Sequence, residues 1–484
     1  MDNGSLGYNK DVGKILRNAF MNNRTAREAG WKYSDYNLYA RVPGTDKIAW
    51  LNTLSGSCSE FSPKEYARIG KVLDRLEEDP LIRHYAGRGL ITKIDEKEEI
   101  RRRLRESCSD PKILYLTICP TLACNFDCPY CFETHVPGKM KPDVIEAIVR
   151  FAERMIERHP FETLKVLWFG GEPLLCVDLI EEISERLMML ADVHAVEYRA
   201  EIITNGCLLD EHAIEVLDRA GTVKAQITLD GLAESHNKTR CLRNGEGTFD
   251  TIVDNIRRQK IPFLVEIRHN VMRENRSENE PLKEFVRSLA EESGNKITYY
   301  ASPIFESEAT RKRNSSVSVL ESGEDLSFVY EDALERFTDA GMNLCQAAQR
   351  YSLIIDPEGK LYTCSEKAGN PSEMYGTILD YDPDDSVRTA VHPETNEYYL
   401  SADSVFETCG DCVFLPKCLG ECPAKRRAGK PECPLYKEDP ESYVLHIYKE
   451  LKAMREAKKR EGGREAGGLP NIAAMDAKPP LRIK

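Results

Sequence analysis

Three cysteines packed into eight residues, Cys124, Cys128 and Cys131 in TLACNFDCPYCFE, constrain this chain more than any other feature. Five more gather between Cys409 and Cys433, out of 16 in all. No secretion signal precedes them, and a reducing compartment keeps thiols from forming a disulfide framework, so clustering of this kind reads as metal ligation. A scatter of buried structural thiols does not produce that distribution.

The chain of 484 residues is long enough for about three domains. A formal charge of −13 argues against a nucleic-acid partner, because binding phosphates by counterion release needs a basic face. The first residues, MDNGSLGYNKDVGKILRNAF, lack an apolar signal segment. No stretch approaches the roughly 18 apolar residues of a membrane span. A soluble, cytoplasmic protein with no membrane partner is expected.

From Tyr36 to Leu51 the runs YNLYARV and KIAWLNTL flank the turn-forming PGTD, which predicts a hairpin. Ser62-Pro63-Lys64-Glu65 is a capping box with proline at the first helical position, predicting a helix to about Glu78. A second helix is expected near Glu96 to Glu106. From Ile113 to about Ala340 strands alternate with helices: ILYLTI, LKVLWF, AEIIT, AQITL, LVEIRHNV and KITYYA are each followed by a helical pattern. Strands separated by helices run parallel, so six such units predict an α/β fold with a partial (β/α)6 barrel. Beyond Leu344 the alternation ends in a turn-rich region too irregular to be held by apolar burial alone, with metal expected to supply the rest. The predicted domains are an N-terminal α+β domain over 1–105, a barrel over 106–325, a cysteine-rich domain over 326–450 and a disordered tail over 451–484.

The three-cysteine loop directly follows the first barrel strand. Three thiolates can hold three irons of a 4Fe-4S cube and leave the fourth open, and an open iron is a substrate site. A zinc or electron-transfer site is the alternative, with Cys119 as a possible fourth ligand, although structural zinc asks for four protein ligands. The C-x3-C-x-aromatic-C spacing of Cys124, Cys128, Tyr130 and Cys131 resembles the hallmark of the radical S-adenosylmethionine (SAM) superfamily. That resemblance implies that SAM chelates the open iron, that Tyr130 lies against its adenine, and that one electron splits the sulfonium to release a 5'-deoxyadenosyl radical.

Further motifs follow the later strands. LWFGGEPLL places Gly170, Gly171, Glu172 and Pro173 where the family's GGEP motif binds the SAM amino group; on their own, two glycines only permit close backbone approach. IITNGCLL places Thr204 and Asn205 near the ribose by the same resemblance. ITLDG, HNKTR and GEGTFD resemble stretches of peptide-modifying members and make Asp230 and Arg240 pocket residues, while VEIRHNV offers Arg268 and Asn270 to the SAM carboxylate or the substrate. For these later residues a loop-capping or solvated role is the alternative. All five motifs fall at the C-terminal end of a predicted strand, the edge that carries the active site in parallel strand–helix barrels.

Cys345 and Cys364 frame Gly359, and Cys409, Cys412, Cys418 and Cys422 then give C-x2-C-x5-C-x3-C before Cys433. This array resembles the SPASM domain of radical SAM enzymes that mature peptides, which houses two auxiliary 4Fe-4S clusters. The resemblance implies an outer cluster on Cys409, Cys412, Cys418 and Cys433, and an inner one on Cys345, Cys364 and Cys422 with an open or unrecognised fourth ligand. A pair of structural zinc sites is the alternative. Cys58, Cys108, Cys119, Cys176, Cys207 and Cys241 read as packed thiols.

The front segment resembles the winged-helix, RRE-like precursor-recognition domains of peptide maturases, which pair a leader peptide with a strand edge, and a simple N-terminal packing domain is the alternative. The expectation is a maturase of a ribosomal peptide that forms a thioether or carbon–carbon crosslink, with a flavodoxin- or ferredoxin-type electron donor. A sulfatase-type maturase that makes formylglycine is the nearer alternative, and a non-catalytic iron–sulfur or zinc scaffold the more distant one. No residue is singled out as the general base.

Overall fold

The computed structural model describes residues 32–62, 64–65, 80–304, 334, 337, 344–380, 393–431 and 433–460. They fall into two compact units: Met1–Ser107, Asp325–Cys345 and Ser401–Lys484 form the first, Cys108–Glu324 and Gln346–Leu400 the second.

The first unit holds β1 (Lys32–Tyr33), β2 (Asn37–Arg41), β3 (Ile48–Asn52), β4 (Ser57–Phe61), α1 (Pro80–Gly87), β5 (Ile91–Thr92) and α2 (Glu96–Cys108). β2 and β3 make the expected hairpin, with Leu38 opposite Leu51 and Arg41 opposite Ile48. β4, which lies between the predicted hairpin and the capping box, outside the expected elements, adds a third antiparallel strand. Leu38, Leu51 and Cys58 share a core with Phe414, Tyr443, Val444 and Ile447, so this sheet completes its burial with side chains from the far end of the chain. The capping box forms: Ser62 N–H donates to Glu65 Oε2 at 2.7 Å, and Glu65 N–H to Ser62 Oγ at 3.3 Å. The helix predicted beyond Glu65 lies outside the described residues up to Pro80. At the other end, the helix Pro440–Arg460 runs ten residues into the stretch expected as a tail, because Leu451 is buried in the shared core; the remainder of that stretch lies outside the described residues.

In the second unit, β6 (Ile113–Ile118), β7 (Thr163–Trp168), β8 (Glu197–Thr204), β9 (Thr222–Thr228), β10 (Leu264–Val271) and β11 (Ile297–Pro303) lie side by side in chain order, all parallel. Each of the first five is followed by helix: α3 (Pro142–Arg158), α4 (Val177–Val193), α5 (Glu211–Arg219), α6 and α7 (Ala233–Thr239 and Phe249–Arg258), and α8 (Asn279–Ser293). Most of the segment after β11 is outside the described residues. This is the predicted α/β fold with the sheet of a partial barrel.

Alternation along the strands divides the sheet into two faces. Leu116, Val166, Ile202, Ile227 and Ile267 are fully buried in one core with helix residues such as Ile148, Ile183 and Ile252. The opposite face carries Lys165–Glu201 at 3.0 Å and Lys224–Glu266 at 3.2 Å, with Lys165 above the Tyr115 ring.

The region beyond Leu344 is more regular than expected. β12 (Ser352–Ile355) extends the sheet parallel to β6, and β13 (Lys360–Tyr362) and β14 (Gly376–Thr377) follow antiparallel. Leu353, Ile355, Leu361 and Tyr375 enter the main core, so apolar burial holds this stretch. β12 is buried at every position and therefore lacks the alternation that marks a half-exposed strand. Gly359, at φ +80°, makes the turn between β12 and β13. No helix among the described residues is long and apolar enough to cross a membrane.

Candidate active site

Parallel strands put all their C-terminal ends on one edge, and the motif residues collect there. The cysteine loop leaves β6 at Ile118, Gly170 and Gly171 follow β7, Thr204 ends β8, Asp230 lies two residues past β9, and Arg268 and Asn270 are in the last turn of side chains on β10.

The glycine pair docks against the cysteine loop itself. A Cβ on Gly170 would drive into the Thr121 carbonyl oxygen, and one on Gly171 into the carbonyls of Ala123 and Leu122, the latter at 2.6 Å. Gly170 adds a left-handed φ of +108°. Two backbone bonds fasten the contact, Gly171 N–H to Thr121 O at 3.3 Å and Glu172 N–H to Ala123 O at 2.9 Å. Glu172, fully buried, accepts from Leu174 N–H at 2.9 Å, Thr204 Oγ1 at 2.7 Å and Asn205 N–H at 2.7 Å. Burial pushes its carboxyl above the ordinary range, against the pull of these donors. Its carboxylate thus ties β7 to β8, and Pro173 opens the short turn that follows. Asn205 reaches on to the cysteine loop, donating from Nδ2 to Asn125 Oδ1 at 2.8 Å.

The loop is also clamped on its other side. Asp127 N–H bonds Cys241 O at 3.2 Å, and Phe126 pairs with Leu242 as an isolated antiparallel bridge. Arg240 lies over the Phe126 ring, 5.5 Å from its centroid.

Tyr130 is the node of the polar network. Its hydroxyl bonds Asp230 Oδ2 and accepts from Arg240 Nη1 at 3.0 Å and Asn270 Nδ2 at 3.2 Å. Thr239 Oγ1 also donates to Asp230 Oδ2, at 2.8 Å. Arg268 bonds Asn270 Oδ1 at 2.8 Å. Tyr130, Asp230, Arg240, Arg268 and Asn270, drawn from four separate stretches of sequence, are therefore one connected set. Burial opposes the charge of Arg240, but Tyr130, Cys128 and Asp230 around it hold the guanidinium firmly protonated. Asp230 Oδ1 and Arg240 Nε, both buried, have no hydrogen-bond partner among the described residues.

His236, outside the residues singled out from sequence, braces this set. Its Nδ1 accepts from Asp230 N–H at 3.3 Å, while Nε2 lies 3.0 Å from Thr248 Oγ1, which donates to Arg240 O at 2.6 Å. These roles require the neutral ring with its proton on Nε2. Burial holds His236 neutral far below its ordinary titration range. Asn275 does similar work, donating to the carbonyls of Asp230 and Asn270 at 2.8 and 2.9 Å. HNKTR and GEGTFD contain His236 and Thr248, but nothing in their spacing says that they meet.

Burial pushes the thiols of Cys124 and Cys128 up to about 12, and the two act on each other and on Cys131 electrostatically. Arg240 alone cannot offset three thiolates, of which Cys128 is buried and Cys124 and Cys131 half-buried, whereas coordination to iron deprotonates a thiol outright. Among the described residues no three Cys, His, Asp or Glu side chains converge on one metal ion. An iron–sulfur cube makes a different demand, because each thiolate holds a different iron around it. The donor set fits such a cluster.

The remaining cysteines divide between the units. Cys409 and Cys418 each sense Cys412 electrostatically, Cys409 also senses Cys433, and Lys437 Nζ lies 3.2 Å from Cys433 Sγ. Cys345 and Cys422 belong to the same unit as these four, and Cys364 to the other. Of the cysteines read as packed, Cys58, Cys108, Cys119 and Cys176 are buried, and Cys207 and Cys241 half-buried.

Residues 118–286 match the sequence profile of the Radical SAM superfamily. This segment is a radical SAM domain. The radical SAM domain carries the cysteine loop and every residue of the Tyr130 network. The chain is 29% identical over 177 residues to GTP 3',8-cyclase of Listeria monocytogenes serovar 1/2a, covering 36% of this chain and 49% of that one. It is 28% identical over 158 residues to a cysteine-type anaerobic sulfatase-maturating enzyme of Clostridium novyi, covering 31% and 40%. The chain thus spans about half the length, or less, of these curated relatives. In fold it is similar to the solved structure of native anSMEcpe with bound AdoMet and Cp18Cys peptide, at a TM-score of 0.52 and 21% identity over 72% of this chain and 100% of that one.

Two consequences can be measured. Gly171→Ala should lower stability by about 1–3 kcal/mol in urea unfolding, since the new methyl group meets backbone that cannot turn aside. Gly87→Ala, with open space at its Cβ, should change it little. For His236 the unfolded chain gains a proton below about pH 6.5 and the folded protein does not, so stability is full above that pH and falls as acid is added. The slope below pH 6.5 should be steeper in the wild type than in His236→Gln by up to about 1.4 kcal/mol per pH unit, read from unfolding curves across pH.

Proposed function

We propose that this chain is a radical SAM enzyme that modifies a peptide or protein. Cys124, Cys128 and Cys131 would hold a 4Fe-4S cluster, with SAM completing its fourth iron. When bound, that pair supplies a 5'-deoxyadenosyl radical on one-electron reduction by a flavodoxin- or ferredoxin-type donor. The observation that carries the reading is the polar set beside those thiols, left with one acceptor, Asp230 Oδ1, and one donor, Arg240 Nε, unmatched among the described residues. A ligand with an amino group and a carboxylate, as at the amino-acid end of SAM, offers N–H donors to the first and a carboxylate oxygen to the second. Leaving such groups buried and unpaired costs about 1–3 kcal/mol each, so a site that binds SAM has reason to keep them.

Within this site Tyr130 orients Asp230 and Arg240 through its hydroxyl, and Glu172 keeps the ends of β7 and β8 beside the cysteine loop. Gly170, Gly171, Pro173, Thr204 and Asn205 would shape the pocket wall, and Arg268 and Asn270 its substrate side. Outer and inner auxiliary 4Fe-4S clusters on Cys409, Cys412, Cys418 and Cys433 and on Cys345, Cys364 and Cys422 extend the proposal. So does a division into an N-terminal precursor-recognition segment over 1–105, the barrel, and a SPASM region over 326–450. The antiparallel sheet β2–β3–β4, with β2 and β4 at its edges, suits a strand-adding peptide.

Similarity to a sulfatase-maturating enzyme, and in fold to a structure holding a peptide, supports a peptide or protein substrate. Crosslinking of a ribosomal peptide is the leading reaction, and formylglycine formation the second reading, favoured by the Clostridium novyi relative. Anaerobically reconstituted protein should form 5'-deoxyadenosine from SAM when reduced, and Cys128→Ala should abolish it. No nucleoside product from the wild type would refute the proposal and leave a non-catalytic metal scaffold. With substrate, loss of two hydrogens without a new aldehyde identifies a crosslink, whereas a new aldehyde, with loss of sulfur from cysteine or loss of two hydrogens from serine, identifies formylglycine.

A further inference from the structure

The thiols assigned above to the outer cluster lie in cationic surroundings within an acidic chain. From Cys409 to Lys437 six Lys and Arg residues stand against three acidic ones, Asp411, Glu421 and Glu432, where the whole chain carries −13. Lys437, one turn after Cys433, places Nζ 3.2 Å from Cys433 Sγ, and Cys412 and Cys418 are close enough to act on its charge.

The backbone is shaped toward the same sulfurs. Leu419, Gly420 and Glu421 are left-handed in succession, at φ 53°, 80° and 45°. Non-glycine residues in that region cost about 1–3 kcal/mol and persist only where their surroundings over-determine them. Here the buried Arg426 donates from Nη1 to Gly420 O at 2.8 Å, and Glu421 N–H returns to Cys418 O at 2.8 Å. A Cβ on Gly420 would meet Arg426 Nη1 at 2.8 Å, so the turn and the guanidinium fit only each other. The turn aims Gly420 N–H at the Cys418 sulfur. Successive amides in such turns make anion-binding concavities, a device found at iron–sulfur sites.

Reduction adds a negative charge to a cluster, and hydrogen bonds and cations at its sulfurs favour that added charge. We infer that Lys437 sets the reduction potential of the cluster proposed on Cys409, Cys412, Cys418 and Cys433, holding it above the value the four thiolates alone would give. The inference rests on the assignment of that cluster under the proposed function. It gives the outer site a direction: after loss of a hydrogen atom, a substrate that closes a new bond must release one electron and one proton. A raised potential suits the outer cluster to receive the electron, being reduced by one, while the proton passes to solvent.

The test is a redox titration of the full chain, reconstituted anaerobically with iron and sulfide and followed by electron paramagnetic resonance. The outer signal is the one lost in Cys418→Ala. Lys437→Met should shift that signal to lower potential by about tenfold in the reduced-to-oxidised ratio, about 59 mV for one electron. Lys437→Arg, which keeps the charge and a donor, should restore the wild-type value. An unmoved potential in Lys437→Met, or an equal fall in Lys437→Arg, overturns the inference while the cluster assignment stands. If Lys437→Met assembles no outer cluster, Lys437→Gln carries the same test in the same direction. Failure of both to assemble overturns the tuning role, because Lys437 would then act in assembly. A wild-type protein with no signal sensitive to Cys418→Ala overturns the assignment itself.

Discussion

The contact between Gly170–Gly171 and the backbone of Thr121–Ala123 is what the rest of this site depends on. The cysteine loop has no regular structure of its own, so its thiols can be held in place only by borrowing rigidity from the sheet. Two residues without side chains let the end of β7 approach closely enough to bond the loop through main-chain groups. Glu172 then anchors that junction to β8, and Asn205 passes the constraint back to Asn125 within the loop. The backbone that carries Cys124 and Cys128 is thereby held by bonds to the sheet edge and not by the thiols.

A second constraint is electrostatic. Burial makes the Cys128 thiol and the Tyr130 hydroxyl resist ionisation, and the site gathers both, with Asp230, around a single guanidinium. Arg240 acts as the fixed positive charge, with Phe126 shielding one face and the backbone held through Thr248 and His236. A neutral histidine suits the bracing role because a protonated ring would turn its acceptor nitrogen into a donor facing the Asp230 amide. Low local dielectric strengthens each of these bonds and raises the cost of any left unmade.

Much of this was legible from the chain itself. Six runs of strand type separated by amphipathic helices place the barrel strands almost residue for residue, since β6 and β10 coincide with ILYLTI and LVEIRHNV. Parallel order then requires the motifs to share one edge. β12 was illegible because a strand buried on both faces has no alternation, and its pairing with β6 spans more than two hundred residues. The front sheet read as self-contained, because sequence cannot show that Leu38 and Leu51 complete their core with Tyr443 and Ile447. The glycine pair was correctly read as permitting close backbone approach. What sequence could not reveal is that the approaching backbone is the cysteine loop's own. Asn275 went unremarked since its bonds are to backbone atoms, and His236 since its partners are one backbone amide and the Thr248 hydroxyl, a pairing that no motif spacing displays.

The central claim is that SAM docks at an iron held by Cys124, Cys128 and Cys131 next to the Tyr130 network. The most direct measurement is the electron paramagnetic resonance spectrum of the anaerobically reduced, reconstituted chain with and without SAM labelled with nitrogen-15 at its amino group. The account predicts a changed cluster signal and a hyperfine coupling from the label, both absent in Cys128→Ala. A cluster signal indifferent to SAM, with no coupling, would contradict it.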